Sequence, residues 1–158
     1  MINYKRYFLL ILSFLILTGA YSLSEVSNKL SNEALVTLEN DYEEALSLSR
    51  QGLTADPSNA FAWAVGGRVL MKEGKNEESQ SYFVRSLSLN PILKEGLYWG
   101  AEVDILLKDI NGAEKKLDTL INSCSDCSES EMLRQSIESL KNQELSVKNI
   151  KEENKPNE

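Results

Sequence analysis

The 158-residue chain contains no histidine. Without an imidazole there is no Ser-His-Asp or Cys-His nucleophile, no His-ligated zinc and no haem attachment through Cys-x-x-Cys-His. Positive charge is also scarce. Lys and Arg number 17 against 24 Asp and Glu, for a formal net charge of −7, so the basic footprint that nucleic acids require is missing. Three prolines and eight glycines exclude collagenous and proline-rich architectures. Two cysteines, with no histidine to help them, are too few ligands for a zinc site within one chain. What is present, 42% hydrophobic and 26% charged residues, is the composition of one folded domain. The chain has little equipment for catalysis, so it is expected not to be an enzyme and to need no cofactor or metal.

One long apolar run occurs, Phe8 to Leu17, interrupted only by Ser13. Lys5 and Arg6 precede it, and the small residues Gly19, Ala20 and Ser22 follow. A positive n-region, a short apolar core and a small-x-small boundary make residues 1–22 a secretory signal, cut after Ser22. The rival is an uncleaved N-terminal anchor, because Tyr7 to Leu23 approaches the length of a span. Either way the remainder is expected outside the cytoplasm, periplasmic or anchored to the inner membrane. The membrane is touched, if at all, through this segment. No cysteine lies near the boundary to carry a lipid.

Beyond it the periodicity is helical. Leu30, Ala34 and Leu38 form one stripe; Ala45, Leu46, Leu48 and Leu53 a second; Trp63, Gly67, Leu70 and Met71 a third; Phe83, Leu87 and Leu89 a fourth. No run alternates with period two. Breaks fall at Asn40-Asp41, Asp56 to Asn59, Gly74 to Asn76, Asn90-Pro91 and Asp109 to Gly112. Asp56-Pro57 and Asn90-Pro91 are separated by 34 residues, and Ala45, Ser79 and Ala113 share that spacing, as do Leu53, Leu87 and Ile121. Ser128 with Glu131 suggests a capping box for a last helix, marked by Met132, Leu133, Ile137 and Leu140 and ending near Asn142. From Glu144 onward seven of fifteen residues are charged and three apolar, so residues 144–158 are expected to be a disordered tail.

Within this pattern, Trp63-x-x-Gly66-Gly67-x-x-Leu70, then Ser79-x-x-x-Phe83, then Pro91 resembles a tetratricopeptide repeat. The copy at Leu97-x-x-Gly100-Ala101 and Ala113-x-x-x-Leu117 is moderate. The one before is degenerate, with Lys29 and Glu33 where Trp and Gly belong. The resemblance implies an all-α fold over residues 25–143: three helix-turn-helix repeats in a right-handed superhelix with a C-terminal capping helix. It also implies a module that binds a peptide or helix of a partner protein in a concave groove. The groove-facing slots would be Phe61, Ala64, Arg68 and Lys72, then Glu95, Tyr98, Glu102 and Ile105. Arg68 and Glu102, in equivalent slots, can instead simply pair. Trp63 takes the core slot, whereas Trp99 is open to core packing or groove exposure. The clamp by which some relatives hold a C-terminal carboxylate is absent, since Leu30 and Ala34 occupy its key places.

Other features read as structure. Gly66-Gly67 lacks a following Gly-Lys-Ser/Thr and sits inside a helical pattern, so close packing explains it better than a phosphate loop. Consecutive carboxylates such as Glu43-Glu44 and Glu77-Glu78 splay apart on a helix. Cys124-x-x-Cys127 reads in an exported chain as a structural disulfide joining the last repeat to its cap. The alternatives are a thiol-disulfide function of this pair, or a self-assembling scaffold; the partner and the oligomeric state stay open.

Overall fold

The computed structural model describes residues 23–124 and 127–153. The signal or anchor expected at 1–22 and the end of the tail at 154–158 lie outside the described residues. Among the described residues seven helices follow one another: α1 (residues 23–37), α2 (Tyr42–Ala55), α3 (Ala60–Lys72), α4 (Asn76–Leu89), α5 (Lys94–Leu106), α6 (Ile110–Ser123) and α7 (Ser128–Glu153). Among the described residues there is no strand, and no helix is long and apolar enough to cross a membrane.

Local chemistry sets the boundaries. Asp41, Asn59 and Asp109 cap α2, α3 and α6 by accepting hydrogen bonds from the backbone N–H groups of Glu44, Phe61 with Ala62, and Gly112. Ahead of α3, Asn59 N–H donates to the Asp56 carbonyl at 3.2 Å; ahead of α5, Leu93 N–H donates to that of Asn90 at 3.2 Å. Both Asx-Pro turns therefore have the same build. Gly74 and Lys108, equivalent residues after α3 and α5, are left-handed at φ +80° and 62°, the conformation that ends a helix by turning the chain back.

The 34-residue period holds throughout the second and third repeats: α2, α4 and α6 begin at 42, 76 and 110, and α3, α5 and α7 at 60, 94 and 128. The first repeat departs from it by one residue. From Ala34 to Ala45 is 11 residues where Gly67 to Ser79 and Ala101 to Ala113 are 12, so the first connection is one residue shorter, and only the turns at 73–75 and 107–109 use a left-handed residue. Lys29 and Glu33 are consequently exposed and pair with each other at 3.8 Å. Ala34, fully buried against Ala45, takes the place that Gly67 takes beneath Ser79. Thus the copy that looks degenerate is a regular repeat displaced by one residue. Leu30 and Ala34 hold the Trp and Gly places, and the clamp places assigned to them belong to Ser31 and Leu35.

Packing follows the alternation. α3 contacts α5 and α5 contacts α7, while α4 and α6 wedge between successive first helices, their backbones kept apart. The first helices make an inner layer and the second helices an outer one. The inner seams are filled by residues at two recurring places: Val65, Trp99 and Leu133, then Val69, Val103 and Ile137. Trp99 is half-buried, packed against two clusters on one side and open to the inner face on the other. Trp63 is half-buried, meets Tyr82 edge-on at 5.1 Å and donates its indole N–H to the Pro57 carbonyl at 2.9 Å.

Close approach explains the glycines of α3: a Cβ on Gly67 would come within 2.9 Å of the Phe83 ring. Ser79 Oγ donates to the Gly67 carbonyl at 2.7 Å across the same contact. The third repeat carries a feature that periodicity does not disclose. Asp104 is completely buried, pairs with Lys116 of α6, and accepts a hydrogen bond from the Gln80 amide of α4 at 2.9 Å.

α7 corrects two expectations. It continues to Glu153, past Asn142, because nothing from Gln143 to Glu153 is Gly or Pro; from Lys141 to Ser146 every residue is exposed. The Ser128–Glu131 capping box is replaced by other pairings: Ser128 Oγ donates to Glu129 Oε2 at 3.3 Å, and Glu131 lies 3.6 Å from Arg134. Leu133 and Ile137 of α7 are buried on α5 and α6. The places where a further second helix would pack, Glu131, Gln135 and Glu138, are polar and exposed, which is what a capping helix needs.

Candidate protein-binding groove

The inner layer presents one continuous face, and most of the residues expected there line it. Phe61 is half-buried, packed against the cluster between α1 and α3. Arg68 reaches across to α5, its Nη1 2.8 Å from Glu102 Oε2, and lies over the Trp99 ring at 5.8 Å. The pairing of these equivalent slots is therefore realised. Lys72 Nζ is 3.7 Å from Glu39, a pairing across the α1–α3 seam that also fits the one-residue displacement. Glu95, Tyr98 and Ile105 are half-buried along α5. Burial, followed by the charge of Glu102, pushes the Tyr98 hydroxyl pKa up.

Ala64 has to be removed from the list. It is fully buried beneath the face, against Phe83 and Val103. Helical spacing places it on the correct side of α3, but a methyl side chain between two helices has no surface left for a ligand.

One row of the groove escaped the sequence reading. α7 is not merely a lid, because the 34-residue spacing carries Glu95, Tyr98, Glu102 and Ile105 onto Glu129, Met132, Ser136 and Ser139. Glu129 lies 2.9 Å from Lys94; Met132, Ser136 and Ser139 line a trough with Ile105. Extending the repeat one step further would have found this row. It was obscured because the outer face of α7 lacks the Trp, Gly and Leu that advertise a repeat. Among the described residues no three His, Cys, Asp or Glu side chains gather as a metal site. The Cα atoms of Cys124 and Cys127 are 5.9 Å apart, a separation a disulfide spans, and Cys127 is buried in the cluster that joins α6 to α7.

This is the architecture of a tetratricopeptide-repeat domain. No family profile matches the sequence, and no curated protein matches it, but solved structures do. The first tetratricopeptide domain of Spaghetti (RPAP3), bound to the HSP90 peptide SRMEEVD, superposes with a TM-score of 0.66 at 18% identity, over 74% of this chain and 94% of that one. The Sgt2 domain from Aspergillus fumigatus gives 0.66 at 16% identity, over 84% and 85%. A tetratricopeptide repeat protein from Parabacteroides merdae gives 0.63 at 16%, over 88% and 59%. At these identities the likeness is one of fold.

Proposed function

We propose that this chain is an exported protein-interaction module that holds a peptide or helical segment of a partner across its concave face. The observation that carries the reading is the inner row itself. Phe61, Arg68 and Tyr98 stand half-buried on adjacent first helices, and such residues contribute most when an interface desolvates them. The peptide held by the RPAP3 domain supports the same use of this fold. Lys5, Arg6, the apolar run and Ala20-Tyr21-Ser22 support export. In an oxidising compartment the Cys124–Cys127 pair would close as a structural bridge, a role favoured over redox exchange by the burial of Cys127.

The test is photo-crosslinking in cell-envelope fractions, with the crosslinker at Lys72, in the protein as it stands and in a Phe61→Ala, Arg68→Ala, Tyr98→Ala variant. The expected result is a discrete partner lost from the variant while its melting temperature holds. An unchanged partner on a well-folded variant would move the interface off this face. Intact mass of the same protein reports whether residues 1–22 have been removed.

A further inference from the structure

The seam between α5 and α7 has two unlike ends. At the N-terminal end, Lys94, Glu95, Tyr98, Trp99 and Glu129 enclose a cleft of about 170 Å³. Two of its walls are aromatic. Its cation is already engaged, with Lys94 Nζ 2.9 Å from Glu129, and the nearby Arg68 is held by Glu102 at 2.8 Å. Glu95 makes no ion pair among the described residues. Three carboxylates thus surround the aromatic faces against two cations, in a chain whose net charge is −7. Ten residues further along α5, about 15 Å at the rise of a helix, Ile105 faces Met132 and Leu140 of α7 across a trough of about 540 Å³. Met132 is 49% exposed there.

Resting on the groove reading above, we infer that the α5–α7 seam is the partner's seat and that the segment it takes is cationic. A Lys or Arg of the partner enters the Glu95–Tyr98–Trp99 cleft, and an aliphatic side chain about 15 Å away fills the Ile105–Met132 trough. The stem of a Lys or Arg lies well along aromatic faces while its charge meets carboxylates. Arg68 over Trp99 shows that this ring accepts a guanidinium. A peptide rich in Glu and Asp would instead bring carboxylates against Glu95, Glu102 and Glu129, a like-charge contact that rejects it. The spacing corresponds to about three turns of helix or four to five residues of extended chain.

The experiment is selection of a random dodecapeptide phage library against the purified full chain, followed by affinity measurement on the selected peptides. Enriched sequences should carry Lys or Arg together with an aliphatic residue. Binding should weaken about tenfold in Glu95→Lys and about tenfold in Met132→Glu, both melting like the parent. Raised salt should weaken it too, and Val84→Ala, at an exposed position of the outer helix α4, should leave it unchanged. Enrichment of acidic peptides would overturn the inference, as would purely apolar ones. Binding lost in Phe61→Ala but indifferent to Glu95→Lys and Met132→Glu would place the seat between α3 and α5, leaving the interaction module intact and this inference wrong. Selection of no peptide at all would defeat both.

Discussion

The second and third repeats build one frame from different chemistry. Where α3 and α4 set Gly67 against Phe83, α5 and α6 set Ala101 against Leu117 at the same places. A smaller ring-side residue allows a larger residue opposite. Tyr82 lies over Gly66 in one repeat, and the Lys116 stem lies over Gly100 in the other. Leu70, almost fully buried, becomes the fully buried Asp104, neutralised by that same Lys116. The turn residue is Gly74 in one and Lys108 in the other, both left-handed. The frame thus constrains pairs of residues: each position tolerates change provided its partner across the helix pair changes with it.

The largest effect should come from unbalancing the ends of the array. The second repeat has a repeat on both sides, whereas the third relies on α7. Ending the chain after Cys127 removes Leu133 and Ile137, each worth about 1.5–3 kcal/mol of burial, and bares Leu117 and Leu120 beneath them. Such a truncation is expected to aggregate or lose its cooperative melt, while ending it at Ser146 leaves all these contacts in place. Calorimetry and light scattering on both truncations would show it; a soluble, cooperatively melting short form would mean that the third repeat needs no cap.

Next in size is the buried ion pair. Lys116→Ala leaves the Asp104 carboxylate without its cation in a place with no exposed surface, a loss of about 3–5 kcal/mol. Asp104→Leu with Lys116→Tyr, which copies the Leu70 and Tyr82 of the preceding repeat, should recover most of it. Urea denaturation of the single and double variants forms the cycle. Additive costs would mean that the two side chains do not act as a pair.

What the sequence discloses and what it withholds divide along the same line. The period, the helical class and the Gly67–Phe83 place are legible because they rest on residues at fixed spacing. The displaced first repeat is not, because the one-residue shortening falls in Leu38 to Asp41, which has no Gly or Pro to mark it. Nor is Asp104, whose neighbours Val103 and Ile105 read as any helix; only the arrival of Lys116 from α6 and Gln80 from α4 makes it a core residue. In the groove, spacing assigns a side of a helix but not a depth, so Ala64 is misjudged while Arg68 and Glu102 do lie half-buried on the inner face. The row on α7 is legible in principle, since it obeys the period, yet its outer face carries polar residues in place of the motif.

A smaller change tests the complementary sizes directly. In an ordinary helix interior Gly→Ala stabilises by about 1 kcal/mol. At Gly67 the new methyl would meet the Phe83 ring at 2.9 Å, so Gly67→Ala should destabilise by about 1–3 kcal/mol. Adding Phe83→Leu reproduces the Ala101–Leu117 pair and should remove the clash, leaving the two changes together better than their sum. The turns offer a matched case of opposite sign: Lys108→Gly should stabilise by about 1 kcal/mol by releasing a side chain from the left-handed conformation. Thermal melts of the four variants check both statements.

The smallest effect lies at the seam between the first and second repeats. The Tyr42 hydroxyl at the start of α2 donates to Glu73 just after α3, and Glu73 also lies 2.7 Å from Lys75. The equivalent residues one repeat later, Asn76 and Leu107, do not titrate. Burial first, then the hydrogen bond and charge of Glu73, push the Tyr42 pKa up to about 12, against about 10 in an unfolded chain. Between these values the unfolded state has released the phenolic proton and the folded state still holds it, so stability declines as pH rises. The contribution of Tyr42 is therefore complete below about pH 10 and vanishes toward pH 12. Urea midpoints of the parent should drop more steeply across that window than those of Tyr42→Phe, and the variant should also lose one tyrosinate from the high-pH end of the absorbance titration. Parallel declines in the two proteins would show that the Tyr42–Glu73 contact does not distinguish this seam from the next.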